Sequence, residues 1–371
     1  MILKTEELKD ISASIKTAVD PDDFSIITEI LELSVENSVL KLSVTNREYY
    51  VQARVNVNTT ETFKVSVNAK TFLNLVSQIT TETIEFNVDG NALVITANGT
   101  YKIPIIFDDF TIISVPEITI GNVVNTFQIS GETLLSILNY NTKEIQKVKS
   151  YTKPVQKYFY VDSDGAITFT TGACVNNFKL DGNVVMLLSL KVVKLFKLFS
   201  EDESITFSFG FDEVNGKVQN KASFTTNSIT ISTLLQDDES MLKSVPATAI
   251  RDRANAVYSY SANINKDNLL QLINRLMVMY DPNKSLYSRF IFGKSSVRVE
   301  SCDAINSETL FYNNDISNLE NEISCTLDLK DIKATLESCV EPYLTISFGD
   351  SPAIVVSRGH VKNVIPKVNG V

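Results

Sequence analysis

The segment Leu3-Lys4-Thr5-Glu6-Glu7-Leu8-Lys9-Asp10-Ile11 sets an apolar pattern that returns twice further along the chain. Leucine or isoleucine stands at its first, sixth and ninth positions. The same offsets of five and then three residues recur in Ile129/Leu134/Ile137 and in Ile264/Leu269/Leu272. Apolar positions three residues apart are typical of one face of a helix. The pattern therefore predicts the same amphipathic helix near the start of three successive segments.

A second pattern repeats with the first. A lysine lies in a helical pattern and an alternating strand pattern begins fourteen residues later, in three places: Lys70 with Ile84–Val88, Lys191 with Ile205–Phe209, and Lys330 with Leu344–Phe348. Spacings of 121 and 139 residues between these lysines are too long for solenoid units and fit whole domains. We predict three copies of one domain, at residues 1–117, 118–248 and 249–371.

The periodicity also predicts the elements of each copy. Helices are expected at Thr5–Val19, Ala69–Ile79, Leu190–Phe199, Lys266–Met279 and Leu329–Cys339, and early strands at Phe24–Val35, Val39–Val44 and Tyr49–Val57. Asp89-Gly90 is a strong hairpin signal. Alternating strands imply antiparallel sheets with one face in water, so the two helices of each copy must cover the other face. The fold class is α+β.

Composition is that of an ordinary globular chain, with 44% hydrophobic and 21% charged residues and a net charge of −10. No apolar run reaches the ~18 residues of a membrane span. Met1–Glu7 has acidic residues where a signal peptide needs basic ones. The four cysteines form no CxxC pair and no zinc spacing. We therefore expect a cytoplasmic protein with reduced thiols and no metal.

Nothing in the sequence points to catalysis. The single histidine, His360, has no neighbour that marks a triad and is expected at the surface or in a turn. Val214–Lys217 is interpreted as a hairpin turn rather than a phosphate loop. Carboxylates are abundant without a distinctive pair, so an enzyme with a carboxylate site stays open.

Lysines are distributed unevenly despite the acidic balance. Five lie within fifteen residues, with only Glu144 opposing them and two tyrosines among them: Lys143, Lys147, Lys149, Lys153 and Lys157, with Tyr151 and Tyr158. Basic residues among aromatics can follow phosphates and stack bases, but for this stretch alone a solvated lysine-rich loop is the favoured interpretation. Basic residues also recur on the polar helix faces of every copy, which favours contact with a polyanion.

With these features, the chain resembles the bacterial-type DNA polymerase sliding clamp, the beta subunit of the replicative polymerase. The resemblance covers the whole length. Leu42–Glu48 is similar to the family's strand ending in Thr-Asp-Leu-Glu, and Val65–Lys70 to a strand that leads into a helix. Asn363-Val364-Ile365-Pro366 is similar to the family's Val-Val-Met-Pro tail.

Three departures indicate a divergent clamp. Thr171–Asn176 replaces the family's Thr-Asp-Gly-His-Arg-Leu, and no Phe-Pro occurs in Leu235–Ser240 before the second linker. The tail continues as Lys367–Val371 rather than Met-Arg-Leu. These changes fall on the family's partner-binding motif.

The resemblance implies a head-to-tail homodimer, a ring of six domains whose twelve helices line a pore around duplex DNA. Such a processivity factor tethers the replicative polymerase, is opened by an ATP-driven clamp loader, and needs no cofactor of its own. It implies DNA contacts at these residues: Lys9, Lys16, Lys149, Tyr151, Lys153, Lys191, Lys194, Lys197, Lys266, Arg275 and Lys333.

Two further surfaces follow from the resemblance. A peptide groove between the second and third domains would be lined by Val155, Thr171, Gly172, Ala173, Val175, Ser244, Val245, Leu329, Val364, Ile365 and Pro366. Ring closure would join Ile103 and Ile105 of one subunit to Val278 and Met279 of the other. Deleting 364–371 should then stop partner binding and leave the dimer intact. The alternative from another class is a triplicated β-rich scaffold, such as a virion component, that does not bind DNA.

Overall fold

The computed structural model describes residues 1–21, 25–147, 153–214, 216–236, 238–280 and 286–368. The first repeat contains two helices, α1 (Thr5–Ala18) and α2 (Ala69–Gln78). Its strands are β1 (Ile2–Lys4), β2 (Ile30–Glu36), β3 (Val39–Thr45), β4 (Tyr49–Asn56), β5 (Phe63–Asn68), β6 (Thr83–Asp89), β7 (Ala92–Thr96), β8 (Thr100–Pro104), β9 (Phe107–Asp108) and β10 (Thr111–Ile112).

The other repeats follow the same plan. The second contains β11 (Asn122–Ser130), α3 (Gly131–Ser136), α4 (Thr142–Ile145), β12 (Tyr158–Asp162), β13 (Gly165–Phe169), β14 (Ala173–Asn177), β15 (Val185–Ser189), α5 (Leu190–Leu195), β16 (Ser204–Val214), β17 (Lys217–Thr225), β18 (Ile229–Leu234) and α6 (Glu239–Lys243). The third contains α7 (Ala247–Asn255), β19 (Tyr260–Asn265), α8 (Lys266–Val278), β20 (Tyr287–Phe292), β21 (Ser296–Ser301), β22 (Ser307–Phe311), β23 (Ile323–Asp328), α9 (Leu329–Glu337), β24 (Tyr343–Phe348), β25 (Ala353–Arg358) and β26 (Val361–Pro366).

The three repeats agree down to strand register. In each, the strand before the first helix pairs antiparallel with the strand after the second helix, and the marker positions face one another. The partners are Leu3 with Ile84, Ile129 with Ile205, and Ile264 with Leu344. All six side chains are buried. The periodicities in the sequence are therefore the buried seam of one supersecondary unit used three times.

The second helix of each repeat also starts in the same way. Two residues before each marker lysine, a polar side chain accepts a hydrogen bond from a backbone N–H of the first turn. Asn68 accepts from Thr71, Ser189 from Val192, and Asp328 from Lys330. Such caps satisfy amides that have no partner within the helix.

One compact unit comprises Met1–Glu132 and Lys194–Asp237. Its eight-stranded antiparallel sheet has the order β11-β16-β17-β18-β4-β3-β2-β5, beside a four-stranded sheet β1-β6-β7-β8. The first two repeats share the large sheet, because β18 pairs with β4 from Ile229 opposite Ala53 to Thr233 opposite Tyr49. The linker between them is tied at both ends. Glu32 accepts from the amide of Val115 at 3.0 Å, and Asp212 accepts from that of Gly121 at 2.6 Å.

The other compact unit comprises Thr133–Val193 and Asp238–Val371. Its eight-stranded sheet has the order β15-β12-β13-β14-β26-β25-β24-β19, and a four-stranded sheet has the order β22-β21-β20-β23. Here β14 of the second repeat pairs with β26 of the third. The two units divide the middle repeat, and domain boundaries at 117 and 248 stay a prediction.

The structure corrects several expectations about elements. The strand expected over Phe24–Val35 begins only at Ile30, after a 3₁₀ turn at Ile26–Glu29, and Phe24 lies outside the described residues. The helix expected over Leu190–Phe199 becomes a 3₁₀ turn after Leu195. Helix α7 was not expected, because it follows a proline and carries few apolar residues.

The C-terminal segment is also different from the expected removable tail. Val361–Pro366 is an interior strand of the large sheet, hydrogen-bonded to β14 on one side and β25 on the other. Val364 and Ile365 are 9% and 2% exposed. Deleting residues 364–371 would remove half of this strand, so we now expect that deletion to disrupt folding rather than leave an intact dimer.

Among the described residues, no helix is both long enough and apolar enough to cross a membrane.

Candidate DNA and partner interfaces

The second helix of the middle repeat presents lysines on its polar side. Lys191, Lys194 and Lys197 are exposed and follow one another at the three-residue spacing that keeps side chains on one face. Val192 and Phe196, on the opposite side, are 1% and 0% exposed. This arrangement fits a surface that meets phosphate charge without reading bases.

In the first repeat, Lys9 and Lys16 stand two turns apart on α1. They border a pocket of 260 Å³ whose lining includes Leu73 and Val76 of α2. Lys16 is exposed and Lys9 is half-buried. Both ammonium groups are placed at the rim of the groove between the two helices.

The basic residues of the third repeat already have acidic partners. The Lys266 ammonium lies 3.1 Å from Asp267 and donates to the carbonyl of Cys339 at 3.3 Å. Arg275 donates from Nε to Glu308 at 3.0 Å and from a second nitrogen to the other oxygen. Lys333 lies 3.9 Å from Glu337. A phosphate at these positions would have to replace a carboxylate. That exchange costs little at the exposed Arg275, whereas the Lys266 side chain is only 17% exposed.

The lysine-rich stretch after α4 is only partly described. Lys149 and Tyr151 lie outside the described residues, and Lys153 is exposed at the start of a 3₁₀ turn. Their contact with DNA stays a prediction.

Lys147, grouped by sequence with the solvated lysines, is instead half-buried in an ion network around the buried Glu144. Its ammonium lies 2.7 Å from Glu144 and 3.2 Å from Asp331 of α9. Thr170 donates to the other oxygen of Glu144, and Thr171 donates to Asp331 at 3.2 Å. Burial alone would lower the pKa of Lys147, but the two carboxylates outweigh it and raise that pKa. The network fixes α4 of the second repeat against α9 of the third.

The residues expected to line the partner groove fall into three groups. Val155 and Val245 pack with Leu187 in one small cluster. Ala173, Val175 and Val364 form another with strands β13 and β25. Leu329 and Ile365 instead belong to the large core of the third repeat.

The remaining groove residues form the accessible part. Thr171 and Ser244 are exposed, while Gly172 and Pro366 are half-buried. Gly172 has no room for a side chain, because a Cβ atom would come within 2.6 Å of the Val364 carbonyl oxygen. The lining of the groove as a whole stays a prediction.

The proposed ring-closing residues differ in exposure. Val278 and Met279, at the end of α8, are 81% and 62% exposed. Ile103 and Ile105 are buried within the first repeat, while Pro104 is exposed. Strand β8 is an edge strand, as the proline suggested, and so is β22 in the third repeat. Phe311 on β22 is 71% exposed.

Comparison with known proteins now identifies the fold. Residues 2–117 match the family model described as the DNA polymerase III beta subunit, N-terminal domain. DNA polymerase III subunit beta from Borrelia burgdorferi superposes with a TM-score of 0.80 at 13% identity, over 99% of this chain and 98% of that one. The Bacillus subtilis sliding clamp superposes with a TM-score of 0.79 at 12% sequence identity. The Helicobacter pylori beta clamp bound to DNA ligase peptide superposes with a TM-score of 0.74 at 14% identity. Both matches cover 100% of this chain and 99% of the other.

The findings fit a divergent sliding clamp. The three repeats are three clamp-like domains, and the α+β fold class is confirmed. No curated protein sequence matches the chain. The clamp family is a non-catalytic one. Within the described residues, no group of metal-ligating side chains is placed to hold an ion. His360 is exposed in the turn before β26, as expected.

Sequence reasoning missed two features of this structure. One is the Lys147 network, for which Glu144 three residues earlier was the only local signal. The other is α7, which packs on the strands of the expected groove through Ala247, Ile250 and Ala254. This segment is too polar for its periodicity to predict a helix. Its sequence is Ala-Thr-Ala-Ile-Arg-Asp-Arg-Ala-Asn.

Proposed function

We propose that the chain is a sliding clamp, a ring-shaped processivity factor that encircles duplex DNA and tethers a replicative polymerase. The observation that carries this proposal is the identical seam register of all three repeats in a chain with the clamp fold over its full length. Three equivalent units per chain suit a closed ring of two chains. The scaffold alternative is not favoured, because it explains neither the clamp fold nor the basic helix faces.

The mechanism is topological. A closed ring holds DNA by enclosing it, so affinity for any base sequence is unnecessary. The exposed lysines of α5 and of the 3₁₀ turn after it would face phosphates, whose contacts position a protein without reading sequence. The net charge of −10 keeps nucleic acid away from the rest of the surface.

Closure would join two copies head to tail. We propose that the edge β8 and the exposed end of α8, with Val278 and Met279, meet across that interface. Polymerase, clamp loader and the protein's own second copy are the partners. The relative from H. pylori binds a DNA ligase peptide, which supports peptide docking as the way partners attach. The site of action is the cytoplasm, at the nucleoid.

A threading experiment tests enclosure without a loader. A linear duplex biotinylated at both ends is mixed with the protein, and streptavidin is added either afterwards or beforehand. At high salt, which removes phosphate contacts, a ring is retained only when the ends are blocked after threading. Equal retention in both orders would contradict enclosure, as would loss in both. Sedimentation should show a particle of twice 41.2 kDa.

A further inference from the structure

Helix α7 covers the floor of the expected partner groove. Its residues Ala247, Ile250 and Ala254 pack against the cluster that contains Ala173, Val175 and Val364. These three floor residues are 5%, 1% and 9% exposed. A partner peptide could reach them only after α7 has moved.

The helix itself is weakly built. It has nine residues, of which Ala254 is the only buried one, and the residue before it, Pro246, provides no side-chain cap. Helices this short are marginal without packing, and a missing cap removes further stability. Two alanines and one half-buried isoleucine provide little apolar area.

Polar ties therefore hold α7 in place. Arg251 donates from Nη1 and Nη2 to the two carboxylate oxygens of Asp162, at 2.7 and 2.6 Å. At the end of the helix, Lys362 of β26 donates to Asn255 Oδ1 at 2.7 Å. A bidentate arginine–carboxylate pair is strong and directional. The main tie is one ion pair in the middle of the helix.

Space next to this tie would let the helix move. A pocket of 380 Å³ lies beside Arg251 and Asn255, and its other wall is the segment Asn177–Lys179 with Asp164. Asp164 is itself paired with Lys179. The two α7 side chains that form ties thus stand at an open pocket rather than in the core.

We propose that α7 is a displaceable lid over the partner groove, held by the Arg251–Asp162 pair, and that partner peptides compete with it. The competing segment must bring an apolar side chain to replace Ile250 and Ala254 on the floor. This inference rests on the proposed function, since it concerns regulation of the clamp's partner groove.

A thiol-accessibility experiment tests the lid directly. In a Cys302→Ser background, which removes the exposed cysteine, Ala173→Cys places a reporter thiol beneath α7. Cys174, Cys325 and Cys339 are buried, and burial raises the pKa of each thiol, so they react slowly. Adding Arg251→Ala should speed labelling of the reporter about tenfold, as expected for the loss of a charged hydrogen-bonded pair.

Matched variants separate lid opening from general destabilisation. Arg253→Ala removes the same charge from an exposed position of the same helix and should leave the labelling rate unchanged. Asn255→Ala removes the hydrogen bond from Lys362 without leaving a carboxylate unpaired, and should increase the labelling rate less than Arg251→Ala does. This variant keeps the test possible if Arg251→Ala folds poorly. Equal rates in all variants would overturn the lid.

A binding measurement tests the competition. The DNA ligase peptide bound by the H. pylori clamp is labelled and titrated against each variant by fluorescence anisotropy. Arg251→Ala should bind it about tenfold more tightly than Arg253→Ala. Equal affinity for all variants, or binding to none, would overturn competition. The threading experiment is independent, so failure there with faster labelling here would reject the clamp function and leave the lid.

Discussion

Replacing Lys147 by methionine should destabilise the second compact unit sharply. The substitution keeps an unbranched side chain one atom shorter and removes the charge and the hydrogen-bond donors. Glu144, whose side chain is 2% exposed, then loses its cation and, among the described residues, keeps the hydroxyl of Thr170 as a hydrogen-bond donor. Asp331 loses the same partner. A buried carboxylate without its cation is the costly product of this change.

The cost follows from burial. Breaking a buried ion pair from one side typically costs ~3–5 kcal/mol. The lower end, about 3 kcal/mol, applies here because Asp331 retains some contact with water and Thr170 still donates to Glu144. In a unit of about 200 residues this corresponds to a fall in melting temperature of about 6–12 °C.

Thermal and urea unfolding of three variants measure this cost. Lys143→Met is the control, since its pair with Glu337 spans 3.8 Å between side chains 42% and 38% exposed and should contribute at most about 1 kcal/mol. Adding Glu144→Gln to Lys147→Met should restore part of the loss by removing the stranded charge. Equal destabilisation by Lys147→Met and Lys143→Met would refute the buried network.

The contribution of Lys147 to folding stability should depend on pH in one direction. Because the folded protein raises the pKa of Lys147 above its ordinary value of 10.5, the stabilisation is complete below that pH. It is lost as pH rises through the folded value. The stability difference between the wild type and Lys147→Met should therefore be constant from neutral pH to about 10 and narrow above it. A difference that narrows between neutral pH and 9 would contradict this assignment.

Three further predictions concern assembly and DNA. Reversing the charge of the exposed lysines on α5 and the 3₁₀ turn after it should shorten residence on DNA at low salt, measured by surface-based kinetics, and should leave the melting temperature unchanged. Unchanged residence would count against their role in DNA contact. These lysines are Lys191, Lys194 and Lys197. Replacing Val278 with Asp and Met279 with Lys should give a folded monomer in analytical ultracentrifugation, because both side chains are exposed in one subunit; a folded dimer would reject this interface. Deleting 364–371 should abolish cooperative melting, since it halves an interior strand; a cooperative transition would mean that the strand is dispensable.

Much of this fold is predictable because its signals are local. The apolar spacing around Leu8 and Leu269 reflects helix geometry, and the alternation of Val39–Val44 reflects a strand with one buried face. Because the pattern occurs three times, each copy also supports the assignment of the other two. Helices α1 and α8 were therefore predicted close to their observed bounds, whereas the short strands that carry Leu3, Ile129 and Ile264 were not predicted.

What escaped prediction depends on partners distant in the chain. Nothing near Lys147 indicates that Asp331 will meet it, so its burial could not be inferred from a lysine-rich stretch. Helix α7 is held by contacts distant in sequence rather than by its own periodicity. Arg251 pairs with Asp162, and Ala254 packs on the floor of the expected groove. Val364 looked like a tail residue, and only the pairing of β26 with β14 makes it part of a sheet interior.

Because neighbouring repeats share a sheet, we do not expect a single repeat to fold on its own. Cutting the chain at residue 117 would strip β4 of its neighbour β18 and expose a row of unpaired amides and carbonyls along a long, apolar strand. Cutting at 248 would do the same to β14. Such raw edges recruit other chains and aggregate. Each repeat therefore depends on its neighbour for a strand partner, and the compact units of the protein do not coincide with its sequence repeats.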